Sequence, residues 1–269
     1  EKNGSPKPIF ETDDERTAFA ATIFIHPGFS AGGNDSGNNN GNDSGNENQS
    51  DNAERILKIM KNTPHITIDQ IVSITGISKR TVSRIIKELK EINSDTVGWI
   101  QLNGTNINYP FVQTTDNEYY LTRSFDKKKN NAGWVFMDYR NSKDSLDRNT
   151  ILYAHGRKDN TMFGTLKNIL SSKWINNTDN YIVKMSTETE NSLWQVFSIY
   201  NIPETTDYLQ TTFYNNTEFL EFATMLINRS EYNFNTTINE NDKILTFSTC
   251  YNKTNRIVLH AKLIKIETK

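Results

Sequence analysis

The residue with the clearest chemical potential is Cys250, the only cysteine in the 269-residue chain. It ends the β-type apolar run KILTFSTC, and Arg256 follows six residues later. A thiol is nucleophilic only as the thiolate, and nearby positive charge favours that form. A single cysteine excludes an internal disulfide and leaves two alternatives, a buried structural thiol or a reactive one.

Cys250 and Arg256 are predicted to lie close together. The runs KILTFSTC and RIVLHAKL are separated by only five residues, 251–255. Such a short connection indicates antiparallel neighbours, with Cys250 and Arg256 at the same end of the strand pair. An arginine there can favour the thiolate or hold an oxyanion.

The chain has four histidines that could act as acid or base. His26 lies in an N-terminal apolar run, and His65 lies in a helical region. His260 is placed in the middle of a predicted strand, which favours a surface or satisfied core role. His155 ends the run NTILYAH immediately before a glycine, and the rim of a barrel carries function more often than a strand centre.

The elements that must position these residues are mainly strands. From residue 93 onward, eight β-type runs alternate with turn-forming clusters: VGWIQL, INYPFVQ, GWVFMDY, NTILYAH, NYIVKM, LWQVFSIYNI, KILTFSTC and RIVLHAKLIKI. Two helical stretches are predicted, at 161–170 and 216–230. The pattern predicts a mainly β fold, an eight-stranded barrel with helical insertions over residues 93–269.

A small helical unit is predicted at 53–92. Capping and stop signals define helix, helix, glycine turn and helix, with the third helix starting at Ser78. This layout resembles a winged helix-turn-helix DNA-binding module, although no wing is recognisable. Eight basic and four acidic residues suit phosphate contact. The candidate DNA-binding residues are Lys79, Arg80, Ser83 and Arg84; the alternative is a spacer with a solvated basic face.

The first 52 residues have a different composition. Residues 30–52 are rich in Gly, Asn, Ser and Asp and hold no Lys or Arg. They are predicted to form a disordered, flexible linker, with an interaction tail as the alternative. Before it, 17–29 is predicted to be a lone strand, so 1–29 is interpreted as a fragment of an upstream domain. The chain begins with Glu1, so we expect a piece of a longer or fused chain. No apolar run approaches the ~18 residues that span a bilayer.

Several motifs together resemble the sortases, bacterial cysteine transpeptidases with an eight-stranded barrel. They are TFSTC followed by Arg256, LYAHG upstream, and the class B-like runs NSDTVGWIQLNGTNINYPFVQTTDNEYYL, GWVFMDYRN and HGRKDNTMFGTLKN. The resemblance covers about 93–269.

The resemblance implies a role for each matching residue. Cys250 would attack the carbonyl of a threonine in a sorting signal of LPxTG, NPxTx or PPxTG type. His155 would protonate the leaving amine and deprotonate the incoming one, and Arg256 would hold the substrate backbone or the oxyanion. Candidate substrate-binding residues, with ordinary packing as the alternative, are Asn117, Leu121, Ser248 and Tyr251. No metal cluster is evident, and no cofactor is expected.

The two halves imply different partners and places. The sortase half implies a sorting-signal peptide and a peptidoglycan amine at the extracellular face of a bacterial membrane, whereas the helix-turn-helix implies DNA and a cytoplasmic origin. The alternative function is therefore a DNA-binding regulator with a non-catalytic barrel. A papain-like hydrolase is excluded because it places its cysteine before its histidine.

Overall fold

The structure is a computed structural model that describes residues 9–12, 19–22 and 82–269, with side chains from residue 85 onward. The chain divides into two compact units, residues 1–44 and 45–269. The finer boundaries predicted at 29, 52 and 92 stay predictions. The predicted linker, the first two helices of the helical unit, His26 and His65 lie outside the described residues.

In the first unit, two short strands form an antiparallel hairpin. Strand β1 (Ile9–Thr12) pairs with β2 (Phe19–Thr22). The prediction that the strand in 17–29 has no partner is therefore wrong, because β2 pairs with β1. The structure describes this strand only over Phe19–Thr22. The four residues of β1 are too few to produce a recognisable alternation, which is why the partner strand was missed.

The second unit is an eight-stranded closed barrel, as predicted. Around the barrel the order is β10-β8-β7-β3-β4-β5-β6-β9. The strands are β3 (Thr96–Leu102), β4 (Asn108–Val112), β5 (Phe136–Met137), β6 (Asn149–Tyr153), β7 (Ile182–Thr187), β8 (Glu190–Pro203), β9 (Ile244–Cys250) and β10 (Asn255–Thr268). The pairs β4–β5 and β6–β9 are parallel.

Helices from the described residues pack against the barrel. They are α1 (Val82–Ile92), the short α2 (Ser172–Ile175) and α3 (Asn216–Arg229), which Asn215 caps by accepting from the backbone N–H of Glu218. In the described part of this unit, 3-10 turns occupy Tyr119–Leu121, Leu166–Leu170 and Thr178–Tyr181. Among the described residues, no helix is long and apolar enough to cross a membrane.

The helix predicted at 161–170 is confirmed only in its second half, as the 3-10 turn Leu166–Leu170. Met162 has a positive φ of 53°, which a right-handed helix cannot accommodate. Its backbone N–H instead donates to the Tyr109 hydroxyl at 3.0 Å. The apolar residues of 161–165 therefore form a turn that contributes Met162 and Phe163 to the barrel core.

The third predicted helix of the helical unit corresponds to α1. Its apolar side chains Ile85, Ile86 and Leu89 are fully buried. They pack in one cluster with barrel residues that include Trp99 and Phe136. The helical spacing of these three residues therefore places them on one apolar face, with which α1 covers the outside of the barrel.

Candidate active site

Cys250 is the last residue of β9 and the point at which that strand emerges from the core. Residues Ile244 to Thr249 are buried, whereas Cys250 is exposed. The exposed thiol excludes the buried structural role that composition left open. The antiparallel register pairs Cys250 with Arg256, so the predicted proximity of these two residues is confirmed.

His155 reaches the same end of the barrel because β6 runs parallel to β9. The register pairs Tyr153 with Ser248, so the chain leaving β6 continues alongside Cys250. The Thr249 hydroxyl donates to the carbonyl of Ala154 at 2.7 Å. Gly156 lies so close that a Cβ there would stand 2.2 Å from the Cys250 carbonyl oxygen. The backbones on either side of His155 therefore contact the cysteine strand directly.

The orientation of the His155 ring is set by a backbone carbonyl. Its Nε2 lies 2.8 Å from the oxygen of Leu121. A carbonyl oxygen only accepts, so Nε2 carries the hydrogen in this contact. In the neutral ring Nδ1 is then the nitrogen able to take up a proton. Leu121 thus contributes a carbonyl that selects the tautomer of His155.

Arg256 faces a carboxylate across the mouth of the site. Its guanidinium forms an ion pair with Glu204, which follows β8 and is 61% exposed. The backbone N–H of Glu204 also donates to the carbonyl of Thr254 at 2.8 Å. The guanidinium beside Cys250 is therefore paired with a carboxylate at the solvent surface, where a substrate would compete with that carboxylate for it.

These residues share one open cavity of about 470 Å³. Its lining consists of Asn117, Leu121, Phe136, Tyr153, Ala154, His155, Glu204, Thr205, Thr206, Tyr208, Leu209, Ser248, Thr249, Cys250 and Arg256. Six of the seven residues predicted for catalysis or substrate binding are in this set. Tyr251 is not; it is 51% exposed and lies next to Cys250 in the loop between β9 and β10.

One wall of the cavity was not predicted from the sequence. Glu204, Thr205, Thr206, Tyr208 and Leu209 come from the segment between β8 and α3. The Tyr208 hydroxyl contacts the hydroxyl of Ser248 at 2.8 Å, and burial raises the pKa of Tyr208. Ser248 therefore anchors this wall to the cysteine strand. No short motif marks the segment, and its position depends on the barrel.

His260 belongs to the core. It is fully buried, with its Nε2 2.8 Å from the Tyr200 hydroxyl and its Nδ1 2.8 Å from the Thr246 hydroxyl. Thr246 donates its own hydrogen to Asn149 Oδ1, so it accepts from His260 Nδ1–H, and Nε2 accepts from Tyr200. Burial lowers the pKa of His260 to about 3, so the ring stays neutral. His260 fits the satisfied core role predicted as one of its two alternatives.

The DNA-binding candidates fall mostly outside the described part of the chain. Lys79 and Arg80 lie outside it, and Ser83 and Arg84 belong to α1 with side chains that are not described. Within the described residues, no group of three His, Cys, Asp or Glu side chains could hold a metal ion.

Comparisons with known proteins agree with this barrel fold. Residues 100–264 match the family described as Sortase domain, and residues 49–93 match Winged helix-turn-helix DNA-binding. The fold and the match define the class: the chain belongs to the sortase family. More particularly, it is a sortase B-like transpeptidase, 36% identical over 184 residues to sortase B of Staphylococcus aureus, covering 67% of this chain and 75% of that protein.

Solved structures support the same assignment. A sortase B crystal structure complexed with triglycine is 31% identical, with a TM-score of 0.66, covering 81% of this chain and 96% of that one. The Staphylococcus aureus sortase B-substrate complex is 32% identical, with a TM-score of 0.63, covering 79% and 93%.

Proposed function

We propose that the chain cleaves a sorting-signal peptide after its threonine and joins the threonine to an amine. The observation that carries the proposal is the exposed thiol of Cys250 in one cavity with the imidazole of His155 and the guanidinium of Arg256. Support also comes from solved sortase B structures, since one is a complex with substrate and one a complex with triglycine, a peptide with a free amine.

The chemistry assigned to these groups balances without a cofactor. The Cys250 thiolate attacks the threonine carbonyl carbon, and Arg256 stabilises the resulting oxyanion. The C–N bond then breaks, and the leaving amine takes a proton from His155, which leaves a thioester. The incoming amine gives a proton to His155 and attacks the thioester, so the new amide forms and the thiolate is released.

The finer parts of the proposal concern the partners and the place. We propose LPxTG, NPxTx or PPxTG-like signals, an acceptor amine on peptidoglycan, and action at the extracellular face of the bacterial membrane. The cavity supports an extended peptide as donor, because it is open and lined by both apolar and polar side chains.

Intact-mass measurement with a panel of LPxTG, NPxTG and PPxTG peptides tests the proposal. We expect a mass gain equal to the peptide fragment ending at threonine, and its transfer to an added peptidoglycan stem peptide. The Cys250→Ala variant is the control and should show neither. Absence of both adduct and cleavage with every peptide would contradict the proposal.

DNA binding is the second candidate, and the match of residues 49–93 to a winged helix-turn-helix favours it. The burial of Ile85, Ile86 and Leu89 against the barrel opposes it, because those side chains cannot at the same time pack a separate helical core. A DNA-binding chain should bind random duplex with an affinity that falls steeply with salt. Unmeasurable binding at low salt would exclude this candidate.

A further inference from the structure

The carboxylate of Asp138 is buried behind the cavity lining, and the side chains of Arg140, Asn117 and Tyr153 donate hydrogen bonds to it. Asp138 follows β5, is fully buried, and does not line the cavity. Arg140 donates through Nε at 2.9 Å and Nη2 at 2.8 Å, and through its backbone N–H at 3.0 Å. Asn117 Nδ2 donates at 3.1 Å and the Tyr153 hydroxyl at 2.8 Å.

The donors to Asp138 make the buried charge tolerable. Burial by itself would raise the pKa of this carboxyl, but the hydrogen bonds from Arg140 and Tyr153 outweigh burial and hold the pKa below its usual range. A buried carboxylate with fewer donors would be strongly destabilising. Moving one of the donors away would therefore destabilise the ionised carboxylate. This energetic cost keeps the donors in their positions.

Two of these donors belong to the lining of the cavity. Asn117 and Tyr153 both face the cavity that contains Cys250. The Asn117 side chain is held at both ends, because its Oδ1 also accepts from the backbone N–H of Tyr139 at 3.0 Å. The amide therefore cannot turn over, and it presents one fixed pattern of hydrogen-bonding groups to a peptide.

Arg140 extends the same network to the segment between β8 and α3. Its Nη2, besides bonding Asp138, donates to the carbonyl of Leu209 at 2.9 Å. Leu209 belongs to the unpredicted wall between β8 and α3. One guanidinium thus joins the wall that carries Asn117 to the wall that carries Leu209.

We propose that Asp138 and Arg140 are positioning residues that set the width of the peptide groove and the orientation of Asn117. The proposal rests on the proposed transpeptidase function and deepens it by naming what shapes the donor site. Neither residue touches the thiol, the imidazole or the guanidinium of the predicted catalytic set. Their loss should therefore affect peptide binding more than the reactivity of Cys250.

Two variants test the proposal. Asp138→Asn turns one accepting oxygen into a donor that faces the existing donors. Arg140→Lys keeps the positive charge but lacks the planar fork that bonds Asp138 and Leu209 together. We expect KM for the peptide to rise roughly tenfold or more, because hydrogen bonds to charged groups are the stronger ones. The rate at which iodoacetamide alkylates Cys250 should stay within about twofold of the rate in the protein without the substitution.

Asp242→Asn is the matched control. Asp242 is a partly buried carboxylate that pairs with Lys262 at 2.8 Å, and it lies at the end of β9 opposite to Cys250. We expect its KM to be unchanged. A KM of Arg140→Lys equal to that of the unmodified chain would overturn the proposal, as would an equal rise in the control.

Amide hydrogen exchange distinguishes a failure of this positioning proposal from a failure of the proposed transpeptidase function. If the unmodified chain processes no peptide, the proposed function fails, but amide exchange of residues 204–210 still reports on the wall. Faster exchange there in Arg140→Lys, with unchanged exchange in residues 244–249, would support the positioning role. Unchanged exchange in residues 204–210 would contradict it.

Discussion

Substituting Gly156 by alanine should separate His155 from Cys250 without removing either group. The new Cβ would lie 2.2 Å from the Cys250 carbonyl oxygen, whereas real Cβ atoms keep at least about 3.0 Å, so the two backbones must part by about 0.8 Å. A misplacement of about 1 Å can reduce a rate by ~10²-fold. We expect kcat/KM to fall by about 10- to 100-fold, which corresponds to ~1.4–2.7 kcal/mol of barrier.

The assay is steady-state cleavage of a sorting-signal peptide, with urea unfolding measured in parallel. Gly98→Ala is the matched control, because a Cβ at Gly98 in β3 would lie 2.3 Å from the Ser186 carbonyl oxygen, and neither residue lines the cavity. Both variants should lose about 1–3 kcal/mol of unfolding free energy through overpacking. Only Gly156→Ala should lose the larger part of kcat/KM. Equal activity in the two variants would refute the reasoning.

Three further predictions follow from single contacts. Glu204→Gln removes the exposed partner that competes with the substrate for the Arg256 guanidinium, and it should raise kcat/KM by about 1.4- to fivefold, since such pairs are worth ~0.2–1 kcal/mol; a fall in kcat/KM would contradict this competition. His260, whose pKa is about 3 in the fold and near 6.5 when unfolded, stays neutral when folded. The unfolding free energy should therefore be highest above pH 6.5 and fall by ~1.4 kcal/mol per pH unit below it. Urea titrations of His260→Gln between pH 6.5 and 5 should lack this slope, and an unchanged slope would refute it. Leu89→Ala should cost ~2–5 kcal/mol in the same assay, because Leu89 is fully buried against the barrel. The exposed Lys87→Ala should change little, and equal losses in the two variants would exclude the cover role of α1.

The strands could be predicted from the sequence because each apolar run is bounded by turn-forming residues. All eight predicted runs overlap β3 to β10. The order of the strands could not be predicted in the same way. The parallel pairs β4–β5 and β6–β9 join segments far apart in the chain, and no local pattern marks such pairings.

In the site, too, a contact between neighbouring strands could be predicted from the sequence, whereas a contact between distant segments could not. Cys250 and Arg256 could be placed together because a short loop joins their strands. His155 lies 95 residues before Cys250, and its place depends on the parallel pairing of β6 with β9. Its place at the end of NTILYAH before a glycine predicted a position at the barrel rim, and the family resemblance of LYAHG and TFSTC assigned it to the same site as Cys250.

Asp138 shows why part of the site left no mark in the sequence. In the sequence it is a polar residue near the end of the apolar run GWVFMDY, yet it is fully buried. A buried carboxylate is stable only with partners, and here they come from the segment after β4, from Arg140 and from the end of β6. The residues that hold a groove in shape are therefore defined by the closure of the barrel, whereas the residues that react are defined by their own chemical types.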